Sequence, residues 1–148
     1  MLVPFLCSVF VFAKEESVKI TAIRAQLFYS DSGTLSENII DKRDFHLWNS
    51  GIGEGSAQGP SSKVLVTVEL TGTETEGRLL LNAVPVKIKN NQKVLIDTEE
   101  EPGFFSKKKY VFPILVSETG CGPISIEAKI KGKPSSLVKK NIQFGCGE

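Results

Sequence analysis

Apolar residues recur at every second position along most of this chain, and between residues 14 and 148 no stretch keeps helical spacing over three turns. The pattern predicts an all-β protein. Val18, Ile20 and Ala22 alternate with polar residues, and Ile23, Ala25, Leu27 and Tyr29 continue on the opposite parity. A one-residue slip of this kind marks a β-bulge or a strand that changes sheets. Val64, Val66, Val68 and Leu70 form the cleanest strand. Leu79 to Lys89 follows with a second slip at Asn82-Ala83, and Pro85 places that strand at a sheet edge or bulge because proline has no amide to donate. Asn90-Asn91 suits a tight turn into Val94-Leu95-Ile96, since Asn tolerates positive φ.

Phe104 and Phe105 open the next segment, and Tyr110, Phe112, Ile114 and Val116 share one strand face. The last two strands read as a hairpin: Ile124, Ile126, Ala128 and Ile130, a turn at Gly132-Lys133-Pro134-Ser135-Ser136, then Val138, Lys140, Ile142 and Phe144. Matching their apolar faces pairs Ile130 with Val138, Ile126 with Ile142 and Ile124 with Phe144. About seven short strands in one chain of this length favour an antiparallel β-sandwich of immunoglobulin-like type.

Residues 2–13 (LVPFLCSVFVFA) are uncharged and apolar and are followed by Lys14-Glu15-Glu16. The run is too short to span a bilayer but matches the apolar core of a signal peptide, with Val11 and Ala13 as the small residues a signal peptidase needs. We expect residues 1–13 to be a signal peptide and 14–148 to be one immunoglobulin-like domain, secreted to the periplasm or the exterior, with no transmembrane segment after leader removal. Cleavage discards Cys7 and leaves Cys121 and Cys146, an even pair that secretion would oxidise. The hairpin register brings Cys121 to within one residue of Cys146, so one disulfide is expected, closing a loop that the chain-entropy model makes worth about 3 to 4 kcal/mol.

Composition limits the chemistry. Eighteen basic against seventeen acidic residues give a net charge of +1, so no overall field draws the chain to nucleic acid. One His and three Cys leave almost no transition-metal ligands, and no metal or cofactor is expected. The segment from Asp41 to Lys63 (DKRDFHLWNSGIGEGSAQGPSSK), with YVFPILVSETGCGP and FGCGE, resembles uncharacterised small secreted bacterial sandwich proteins, a resemblance that brings no activity with it.

Four motifs offer candidate sites. Ile52 to Ala57 is similar to a kinase glycine-rich loop, but the third Gly is displaced and every downstream kinase element is missing, which leaves a loop of small residues. Asp31-Ser32-Gly33-Thr34 resembles the active-site turn of aspartic proteases, which need a second carboxylate from a dimer mate or from Glu118-Thr119-Gly120. Asp-Ser-Gly is also ordinary turn composition. Asp44, His46 and Trp48 share one face of an extended segment beside the Gly-rich loop, with Phe45 and Leu47 on the other face. Lys107 to Lys109 and the outward Lys129, Lys131 and Lys139 could form a basic stripe, opposed by Asp97 and Glu99 to Glu101. The resulting expectation is a non-catalytic binding module that meets an unknown protein or glycan through His46, Trp48 and Glu54. A dimeric acid protease using Asp31 and a structural component of an envelope assembly are the alternatives.

Overall fold

A computed structural model describes residues 18–40, 42, 61, 63–72, 79–80, 82–91, 93–102, 104–105, 108–120 and 122–143. The described residues form ten strands and no helix: β1 (Lys19–Tyr29), β2 (Thr34–Leu35), β3 (Lys63–Thr71), β4 (Leu79–Leu80), β5 (Val84–Asn90), β6 (Lys93–Glu100), β7 (Phe104–Phe105), β8 (Lys109–Ser117), β9 (Ile124–Ile130) and β10 (Lys133–Ile142). Seven of them are seven residues or longer, the number the alternation predicts. Two four-stranded antiparallel sheets result, in the orders β2-β1-β3-β8 and β10-β9-β5-β6, with β4 and β7 paired apart.

The inward parities of both sheets meet in one buried cluster, an arrangement compatible with a sandwich. Leu27, Val66, Val68 and Leu70 come from the first sheet, and Val86, Ile88, Ile126 and Ala128 from the second. Each fully buried aliphatic side chain contributes about 1.5 to 3 kcal/mol, so the cluster is the main source of stability. The slip in β1 is a bulge. Ile20 opposes Leu70 and Ala22 opposes Glu69, leaving Thr21 extra, and Ile23, Ala25, Leu27 and Tyr29 then point inward.

Two expectations are corrected. Pro85 is on an interior strand rather than an edge or a bulge, because β5 lies between β9 and β6. Pro85 faces β9 opposite Lys129, and bonding resumes beyond it, where the Lys131 amide donates to the Ala83 carbonyl at 2.9 Å, so the missing amide leaves a single gap that the flanking pairs tolerate. The final hairpin turns more tightly than expected, at Lys131-Gly132, with Ile130 opposite Lys133 and Gly132 at φ 79. Residues 134–137 then bulge, and pairing resumes with Val138 opposite Ala128 and Ile142 opposite Ile124, two residues from the expected register. The Ser136 side chain explains how so large an interruption is tolerated. Its hydroxyl accepts from the Ile130 amide at 2.7 Å and donates to the Lys133 carbonyl at 2.6 Å, replacing ladder bonds that the bulge removes.

The β5–β6 turn needs two residues between Asn90 and Lys93, and Asn91 takes positive φ (50°) there as anticipated. On β8, Pro113 sits in an edge strand. The Gly72 amide donates to the Lys108 carbonyl at 3.1 Å, which fixes the phase of the β3–β8 ladder. Thr67 and Pro113 are therefore a non-bonded pair, and the proline nitrogen faces the free edge. It costs no ladder bond and removes the central donor from an edge that could otherwise recruit another strand.

Candidate functional site

His46, Trp48 and Glu54 lie outside the described residues, as do residues 1–13, Cys121 and Cys146. Asp31 is exposed in the turn between β1 and β2, where Gly33 has φ 68 and its amide donates to the Tyr29 carbonyl. Glu118-Thr119-Gly120 follows β8 at the same end of the first sheet, but β3 runs between β1 and β8. Two strand spacings, roughly 10 Å, separate the strands that lead into these two turns. Three lysines of the expected basic stripe are held by acidic partners, and Lys107 lies outside the described residues. Lys131 bonds Glu99 at 2.9 Å, Lys139 bonds Glu127 at 2.7 Å and Lys109 bonds Glu69 at 2.5 Å. The ammonium groups of Lys109 and Lys139 hold the carboxyls of Glu69 and Glu127 below the usual range.

The two lateral sides of the molecule are unlike. On the β6–β8 side, the Tyr110 hydroxyl donates to Glu100 at 2.8 Å and links the two sheets. This hydrogen bond raises the pKa of the phenol, because the carboxylate stabilises the protonated form. On the β1–β10 side a groove of about 580 Å³ opens between Val18–Ile20 and residues 132–138. Leu137, at 44% exposure, and the half-buried Ile20 and Val138 give it apolar walls. The groove exists because the β10 bulge displaces the chain there.

The segment after β2 closes only part of the neighbouring β1 edge. The Ser36 amide donates to the Leu27 carbonyl at 3.0 Å, and the Ile39 amide to the Ala25 carbonyl at 2.8 Å. The Ser36 hydroxyl and the Asn38 side-chain oxygen accept from the Leu27 and Ala25 amides in return. These bonds show that odd-numbered residues of β1 aim their peptide groups at the free side, so those of Ile23 do too. Beyond the Thr21 bulge the phase resets. Ile20 opposes Leu70, a residue bonded to β8, so the peptide groups of Ile20 and then Val18 face outward. No described residue outside β3 bonds to this stretch. Lys19 and Arg24 are exposed at its two ends.

The β8–β9 crossover is held more firmly. Asn90, buried, donates its side-chain amide to the Thr119 carbonyl at 2.5 Å, and the Asn91 amide donates to the Pro123 carbonyl at 3.3 Å. Glu118 takes φ 56 and Gly120 φ 65, and a Cβ on Gly120 would stand 3.2 Å from Asn90 Nδ2. This cluster anchors the crossover between sheets.

Sequence reasoning missed the groove. Its one local signal is Pro134-Ser135-Ser136, which reads equally well as a turn. No group of three or more possible metal ligands occurs among the described residues, and no described helix is long and apolar enough to cross a membrane. No protein-family model matches the chain, and no curated protein matches it.

Proposed function

We propose that the protein is a secreted, immunoglobulin-like, non-catalytic interaction module that receives a protein partner in the lateral groove between β1 and β10. The observation that carries this reading is the open, partly apolar groove bordered by a strand edge that no described residue pairs with, on a molecule whose other lateral side is bridged by Tyr110 and Glu100. Secretion rests on the apolar run 2–13 and on the even cysteine count that its removal leaves. The earlier candidates His46, Trp48 and Glu54 stay in the proposal as a second contact region.

Binding of purified envelope proteins and of a glycan array to the immobilised mature chain tests the reading. A protein retained by the wild type should bind Leu115→Glu equally well, because Leu115 lies on the outer face of the first sheet, and Leu137→Glu at least tenfold more weakly. Equal binding to all three proteins, retention of glycans alone, or turnover of a substrate would overturn it.

A further inference from the structure

Sheet edges attract strands, and every other long edge of this molecule carries a deterrent. On β8 it is Pro113, whose nitrogen faces the free side. Lys93, Asp97, Glu99 and Glu100 line β6, whose pairing with β5 also shifts register, Ile88 opposing Ile96 and Lys89 opposing Val94. The four-residue bulge and Pro134 interrupt the start of β10, and Lys139 follows. The second half of β1 is occupied by the Ser36–Ile39 segment. Residues 18–23 are the long-strand edge without a proline, an interposed segment or alternating charge among the described residues.

We infer that this stretch takes an extended polypeptide segment of a partner protein as an added strand, with alternating apolar and acidic residues. The inference rests on the module reading above and names its ligand class. The peptide groups of Val18, Ile20 and Ile23 supply the pairing, and only an extended chain offers donors and acceptors at a matching spacing. Alternate side chains of the added strand fall on opposite faces. One set points toward the groove, where Ile20, Leu137 and Val138 select apolar groups beside Lys133, Ser135 and Ser136, which line the rest of it. The other set lies on the outer face beside Lys19 and Arg24, which select carboxylates; Glu69, the acid on the same face, is already held by Lys109.

The probe is a phage-displayed library of fully randomised ten-residue peptides, selected on the mature wild-type protein. Enriched peptides should alternate apolar and acidic residues. Their binding should slow hydrogen exchange at the Ile20 and Ile23 amides at least tenfold. Ile20→Pro, which copies the device at Pro113, removes an outward amide while keeping the β1–β3 ladder, and should weaken the purified peptides at least tenfold; Ile20→Val should retain them. Should Ile20→Pro fail to fold, peptides N-methylated at every second amide decide the matter: one phase must abolish binding and the other must not. The inference is overturned if no peptide is enriched, if alternation is absent, or if protection appears on β10 at Lys139 and Asn141. It is equally overturned if the two β1 amides are already protected in the free protein, or if a second copy fills the edge as a dimer in sedimentation. Loss of peptide binding with Leu137→Glu still blocking a folded partner would remove strand addition and leave the module reading standing.

Discussion

Asn90 is the most informative single position for stability. Its side chain is buried at the end of β5, and Nδ2 donates to the carbonyl of Thr119, itself buried in the crossover from β8 to β9. In Asn90→Ala the hydrogen bond is lost, a net effect near 1 kcal/mol, and the Thr119 carbonyl keeps no donor from this side chain, for which about 1 to 3 kcal/mol is usual. Taken together, a loss of roughly 2 to 4 kcal/mol is expected. Asn90→Asp separates the two contributions, because it preserves shape and replaces the donor with a carboxylate facing a carbonyl; it should cost at least as much as Ala near neutral pH. Urea denaturation followed by far-ultraviolet circular dichroism gives both values, and hydrogen exchange should show protection lost first at residues 118–123. The argument is refuted if Asn90→Ala costs under ~0.5 kcal/mol, or if Asn90→Asp is as stable as the wild type, since the amide nitrogen would then not be the group facing Thr119.

Leu70→Ala and Ile126→Ala, one in each sheet and both fully buried, should each lower stability by about 2 to 5 kcal/mol in the same assay; a loss confined to one of them would mean the sheets do not share a core. The carboxyls of Glu69 and Glu127, held low by lysines, contribute stability that is present above the ordinary carboxyl value of 4.5 and is lost as pH falls through their lower folded values. Thermal melts from pH 6 to pH 2.5 should therefore show an acid destabilisation that is smaller in Lys109→Met and Lys139→Met. Intact mass of the exported protein should correspond to Lys14–Glu148 with Cys121 and Cys146 oxidised; retention of Met1 or two free thiols contradicts the compartment. Peptidase assays from acid to neutral pH should find no activity, and cleavage abolished by Asp31→Asn would install the acid protease instead.

Periodicity alone was enough for most of the long strands and their inward faces, although Leu79 to Lys89, which reads as one strand, divides into β4 and β5 in different sheets. A two-residue repeat in side-chain direction is a property of any extended chain, so Val64, Val66, Val68 and Leu70 declare a buried face without reference to a partner. The bulge at Thr21 was legible for the same reason, because a change of parity leaves a mark in the apolar pattern. Strand neighbours are a different matter. Pro85 carried a correct local statement, that its amide cannot bond, but whether that makes an edge depends on the neighbouring strands, and β9 continues past it to Ile130, with the Lys131 amide bonded to the Ala83 carbonyl. The final hairpin was displaced by two residues because a shift of two leaves every side chain on the same face, so apolar matching cannot detect it; the Ser136 hydroxyl, by bonding both Ile130 and Lys133, selected the register. The groove, too, is a tertiary product. It requires a bulge in β10 to lie beside the one stretch of β1 left uncovered by Ser36 to Ile39, and these residues are about a hundred positions apart in the chain, so no local pattern relates them. What the sequence by itself determined is which residues face inward; which edges are closed was decided by side-chain hydrogen bonds formed only once the sheets had assembled.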